Sequence, residues 1–197
     1  MRSSYIQNDY GKLLTNAVIA LKPNPYFVEL GVLDGYSTLH IAKGLKEIHR
    51  LYGIEAKLNA FDLFDDYEFK HGNQKEVQKL IDDNQLSQYV NLQKGDAYKV
   101  YDQFPDKRIE FLHVDISNTG DTIKNILEKW DIKMAPKGVI LFEGGSEERD
   151  NIEWMKKYNM PSIKKELKTN QLVINNYMMA TYFRFPSMTL LMRKWWD

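Results

Sequence analysis

The 197-residue chain has no cysteine. That removes disulfides, thiolate zinc sites, iron–sulfur clusters and cysteine nucleophiles together. It also lacks an excess of either charge: 27 Lys and Arg stand against 27 Asp and Glu. With no net field to draw the chain onto nucleic acid or an anionic bilayer, neither is expected as a partner. No apolar run approaches the roughly 20 residues a membrane helix needs. The polar, tyrosine-bearing start from Met1 to Gly11 does not read as a secretory signal, so a cytoplasmic location is the expectation. Repeats, low-complexity tracts and Gly/Pro/Ser-rich linkers are absent too, and the chain is read as one domain spanning 1–197.

Alternating short elements are present instead. Leu13, Leu14, Ala17, Val18 and Leu21 recur at helical spacing, and Pro23 and Pro25 are expected to end that helix before the apolar strand Tyr26 to Leu30. Gly31 and Gly35 follow, then a helical stripe from Thr38 toward Tyr52. The pattern repeats with a second strand over Ala56 to Phe61 ending at Asp62, an acidic and aromatic loop from Leu63 to Asn73, and a helix from Glu76 to Leu86. Further strands are expected at Tyr89 to Gln93, Ile109 to Ile116 and Gly138 to Glu143, with a helix at Thr122 to Trp130. Helices near Glu147 to Tyr158 and Ile163 to Lys168 precede a tail, Tyr177 to Arg193, whose two strand-like runs flank Pro186-Ser187 as an antiparallel hairpin. Short apolar strands alternating with helices predict an α/β, Rossmann-like, doubly wound sheet that is mostly parallel.

In such sheets the ligand lies beyond the carboxyl ends of the strands. The turns at Gly31 to Gly35, Asp62, Asp96, Asp115 and Glu143 are therefore expected to converge on one region. The first turn lacks the middle glycine of a dinucleotide fingerprint. Glu29 and Asp34 flank it, and two carboxylates would repel a pyrophosphate. A ligand with cationic character suits it better. Asp62 is placed for ribose hydroxyls, and Gly95-Asp96-Ala97 for an adenine amino group, so an adenosine bearing a positively charged amino-acid tail fits these conditions.

Glu29 to Thr38, with Ala60-Phe61-Asp62-Leu63-Phe64 and Lys94-Gly95-Asp96-Ala97, resembles the cofactor motifs of class I S-adenosylmethionine-dependent methyltransferases. Within these it is most similar to the macrocin and novobiocin-type sugar O-methyltransferases and their cephalosporin-hydroxylase-like relatives. The resemblance runs from about Tyr26 to Glu143. It implies a seven-stranded sheet with a reversed last strand and S-adenosylmethionine as cofactor. Carried over residue by residue, it implies cofactor contacts at Glu29, Gly31, Asp34, Gly35, Ser37, Asp62, Leu63, Asp96, Ala97 and Asp115. It also implies a magnesium ion on Asp115 and Glu143, although Ser117 and Gly144 stand where relatives carry further acids.

The fourth strand's period of two puts His113 and Asp115 on one face, and these two are the catalytic candidates; His71 is another base to weigh. The expected activity is O-methylation of a small polar acceptor such as a sugar or natural product. Two alternatives stay open: a non-catalytic S-adenosylmethionine or nucleoside-binding module on the same fold, and an NAD-dependent oxidoreductase. A second copy of the chain is a further partner left open. Plainer roles stand beside these: a lysine or arginine partner for Glu29, a turn cap for Asp96, helix caps for Ser117, Asn118 and Thr119, a packed core position for His113, ordinary helix positions for His40 and His49, and packing or contacts for Met178-Met179 and Trp195-Trp196. Tyr5, Tyr10, Tyr67 and Phe69 either line the acceptor pocket or pack between loops.

Overall fold

All six residues of Ile109–Val114 are buried, Glu110 and His113 among them, as a parallel strand covered on both faces requires. The computed structural model describes residues 2–21, 26–69 and 71–195. Its seven strands are β1 (Tyr26–Leu30), β2 (Lys57–Asp62), β3 (Val90–Lys94), β4 (Ile109–Val114), β5 (Met134–Glu143), β6 (Tyr177–Tyr182) and β7 (Met188–Arg193). They form one sheet in the order β3-β2-β1-β4-β5-β7-β6. β1, β2 and β3 pair in parallel, as do β4 and β5, whereas β7 runs antiparallel to both β5 and β6. The expected mostly parallel sheet and closing hairpin are both present. Pro23, Pro25 and Trp196 lie outside the described residues.

By its contacts the chain divides into two compact units, Met1–Val100 and Tyr101–Asp197. In the first, α1 (Tyr10–Ile19) packs on α2 (Tyr36–Tyr52). Two glycines permit the approach: a Cβ on Gly44 would lie 2.8 Å from Val18 Cβ, and one on Gly11 would enter the His40 ring. Leu39, Ile41, Ala42, Leu45 and Ile48 form the buried stripe of α2, which stops at Gly53 in the left-handed region. Asn73 begins α3 (Gln74–Asp83) by accepting from the amides of Lys75 and Glu76.

In the second unit, α4 (Gly120–Trp130) is capped by Thr119, one of the three residues weighed as caps. β5 begins four residues earlier than the sequence suggests. A register shift against β4 between Ile109 and Phe111, together with the left-handed backbone of Lys137, carries the strand past Pro136. The helix expected over Glu147 to Tyr158 is two short ones, α5 (Glu147–Asp150) and α6 (Glu153–Lys157). Asp150 is the reason: its carboxylate leaves the helix to accept from the Ser162 hydroxyl and the amides of Ile163 and Lys164, the start of α7 (Ile163–Thr169). Asn170 then ends α7 and caps α8 (Gln171–Asn176), a helix the apolar spacing did not reveal. Tyr177 and Arg193 close the unit by donating to Asp131 Oδ1 at 2.7 and 2.8 Å. Burial, and then Asp131, pushes the Tyr177 phenol well above its ordinary value. No helix among the described residues is long and apolar enough to cross a membrane.

Candidate active site

The turn after β1 is built by backbone geometry and braced by one carboxylate. Gly31 (φ 92°) and Gly35 (φ 82°) both occupy the region that side chains avoid. A Cβ on Gly35 would also sit 3.1 Å from Val77 Cγ1. Asp62, at the end of β2, spans the turn: Oδ2 accepts from the amides of Val32 (2.7 Å) and Leu33 (3.0 Å), and Oδ1 from the amide of Phe64 (2.7 Å). The carboxylate expected at a ribose is thus committed first to the turn's own backbone. Leu63, beside it, links β2 to the short turn Phe64–Asp66.

Glu29, Asp34 and Asp96 are committed as well. Glu29 is fully buried, and its Oε2 accepts from Thr38 Oγ1 at 2.6 Å. Asp34 is forked by Arg2, which donates from Nη2 to Oδ1 at 2.7 Å and from Nε and its backbone amide to Oδ2. The Arg2 guanidinium holds the Asp34 carboxyl below its ordinary value. The Asp34 share of the negative charge that the sequence places at this turn is thereby balanced inside the protein. Asp96 Oδ1 accepts from the Tyr98 amide, an Asx turn, and its Oδ2 lies 3.3 Å from Lys99 Nζ. Ala97 and Ser37 are buried.

An open cleft of about 510 Å³ in the same unit is walled by Arg2, Asp65, His71, Lys75, Glu76 and Lys94, so the N-terminal segment and the loop after β2 do meet there. Its walls are charged. Tyr67 and Phe69 stand exposed in edge-to-face contact at 5.4 Å, whereas Tyr5 and Tyr10 are buried against each other. His71 is exposed with Nδ1 2.7 Å from the Phe69 carbonyl. His40 lies against Thr15, and His49 Nδ1 is 2.9 Å from the Tyr89 hydroxyl; both serve helix packing.

In the second unit, β4 and β5 pair with Val114 opposite Phe142, which sets Glu143 at the last position of β5 and Asp115 just beyond the same end of β4. His113 is fully buried within β4, while Asp115, partly exposed, accepts from Asn118 Nδ2 at 2.8 Å. Glu143 is buried, and its Oε1 takes the Nε hydrogen of Arg149 at 2.9 Å, an ion pair nearly closed to water. Ser117 is joined to α4 through Thr122.

These residues do not fit the magnesium ion expected on Asp115 and Glu143. A divalent ion wants several oxygen donors, and no group of three or more His, Asp or Glu among the described residues could hold a metal. Glu143 is already neutralised by Arg149. An acid in place of Gly144 would be strained as well, because its backbone sits at φ 113°, and a Cβ there would lie 2.5 Å from Ile163 Cδ1. Its neighbour Gly145 is equally closed in, by Thr189. Sequence reasoning missed Arg2 and Arg149, which sit 32 residues before and six residues after their partners, spacings that carry no pairing signal.

The sequence matches a family described as a methyltransferase domain over residues 28–143, more than half the chain. The chain belongs to that family. This methyltransferase domain matches no curated protein. Among solved structures it is similar to an O-methyltransferase from Bacillus cereus in complex with SAH, at 16% identity and TM-score 0.69, covering 98% of this chain and 84% of that one. A methyltransferase from Geobacter sulfurreducens aligns at 17% identity and TM-score 0.66, over 95% and 79%. The O-methyltransferase of tomaymycin synthesis from Streptomyces achromogenes, in complex with SAM, aligns at 12% and 0.64, over 94% and 80%. At such identities these likenesses speak for the fold.

Proposed function

We propose that this methyltransferase domain uses S-adenosylmethionine to methylate an oxygen of a small polar acceptor, without a resident metal ion. The observation that carries the reading is the braced turn at Gly31 to Gly35, a cradle with no Cβ at either glycine, lying inside the span matched to the family. The donor set fits the cofactor: Asp62 stiffens the turn and offers its remaining lone pair to a ribose hydroxyl, while Asp96 and Ala97 take the base. When bound, the cofactor supplies a methyl group on a sulfonium for in-line displacement.

The chain's remaining tasks are to orient the acceptor and take its proton. Asp115, partly exposed and held by Asn118, is the base in this reading; His113, buried inside β4, is the weaker candidate. The macrocin and novobiocin-type subgroup is part of the proposal only through its acceptor class, because the metal ligands of that resemblance are not assembled. A second reading, a binding module that no longer transfers the methyl, is favoured by the engagement of Glu143 with Arg149.

Isothermal titration tests the first reading. Both S-adenosylmethionine and S-adenosylhomocysteine are expected to bind, and Asp62→Ala to weaken that binding about tenfold or more. No heat from either ligand at millimolar concentration overturns the proposal. Binding with no label transferred from methyl-labelled cofactor to a broad hydroxyl panel, in buffer containing EDTA, supports the second.

A further inference from the structure

A guanidinium is taken out of water at little cost only when its hydrogens all find acceptors. Arg149 is 5% exposed. Its Nε is matched to Glu143 Oε1, and its Cζ lies 5.6 Å from the centre of the Trp154 ring. Nη1, at the far edge of the same planar group, is buried with no partner. One other buried side-chain atom among the described residues shares that condition: Oδ1 of Asn118, itself 2% exposed, whose Nδ2 is spent on Asp115. These two residues follow β5 and β4, strands that are paired and parallel. A donor without an acceptor and an acceptor without a donor are thus left at the same ends of two adjacent strands.

Charge decides what chemistry would answer them. Glu143 already balances the Arg149 guanidinium, so an anionic group arriving there would add an uncompensated buried charge beside Asp115. A neutral group avoids that, and a hydroxyl both accepts and donates. We propose that Arg149 and Asn118 form the hydroxyl-binding part of the acceptor site: Arg149 Nη1 donates to a hydroxyl oxygen of a neutral, hydroxyl-bearing acceptor, and Asn118 Oδ1 accepts a hydroxyl hydrogen. This rests on the methyltransferase reading and names the residues that select its substrate. Trp154 packs against the guanidinium and is itself partly exposed, so removing its indole is the change expected to open a path to the pair.

The experiment uses the full chain saturated with S-adenosylhomocysteine, 15N-labelled at arginine, and titrated with phenol and, separately, with benzoate. The Arg149 side-chain signals, assigned from their loss in Arg149→Lys, are expected to shift with phenol and to saturate in the millimolar range. Asn118→Ala should weaken phenol binding about tenfold, the worth of one buried hydrogen bond, and Trp154→Ala, which leaves the buried pair intact, should tighten it. Unmoved signals, or benzoate binding tenfold tighter than phenol, overturn the proposal. Binding of S-adenosylhomocysteine is measured first in the same sample, so failure of the cofactor reading shows as no S-adenosylhomocysteine binding, and failure of this inference as intact S-adenosylhomocysteine binding with unmoved arginine signals.

Discussion

The turn after β1 and the ends of β4 and β5 both concentrate carboxylates, yet they are finished to different degrees. At the turn, Asp62 takes three amides, Asp34 takes an arginine fork and Glu29 a threonine hydroxyl. At the ends of β4 and β5 the carboxylates are also engaged, but their partners Asn118 and Arg149 each keep a buried atom unmatched. Buried polar groups in folded proteins are generally paired. The contrast therefore separates a turn whose carboxylates all find partners within the chain from strand ends where folding leaves two buried side-chain atoms unmatched.

The contrast can be broken most forcefully at the buried pair. Glu143→Ala strands the Arg149 charge in the interior and should cost about 3–5 kcal/mol, read as a lowered urea midpoint at unchanged slope. A cost below about 1 kcal/mol would mean that water already reaches the pair. Next comes the brace. Asp62→Ala releases the amides of Val32, Leu33 and Phe64 and should cost about 2–4 kcal/mol, together with faster hydrogen exchange at those amides. If exchange there is unchanged, the turn holds its shape without Asp62.

The smallest effect is expected at His40, away from both regions. Burial, then the nearby Lys43 charge, lowers its pKa below the ordinary 6.5, against an opposing pull from Asp9. The unfolded chain thus takes up this proton at higher pH than the folded one. Stability is fully present above about pH 6.5 and declines as pH falls from there through the lower folded value. Between pH 7 and 5 this should account for a fall of about 2–4 °C in melting temperature at most, absent in His40→Gln. A fall that persists in the variant assigns the acid sensitivity elsewhere.

Much of the fold was legible because it follows from local rules. The apolar run Tyr26 to Leu30, the glycines after it and the periodic stripe of α2 each express strand, turn and helix within a few residues. The break between α5 and α6 was not legible, since Asp150 prefers three donors of a segment twelve to fourteen residues away. Nor was the start of β5, which passes Pro136 only because a bulge absorbs it. The site divides in the same way. Positions of the carboxylates at strand ends could be read from strand periodicity, but not the partner each one takes.

Composition, periodicity and glycine placement alone determined that this chain makes an alternating, mostly parallel sheet with acids at the carboxyl ends of its strands, because those features act over one or two turns of chain. Tertiary structure alone decided how those acids are used: Arg2 reaches Asp34 across 32 residues, Asp62 crosses to the turn after β1, and Arg149 folds back onto Glu143 while the positive φ of Gly144 disfavours a second carboxylate there. The physical reason is that the state of a charge depends on which groups surround it in space, and chain spacing does not encode that neighbourhood.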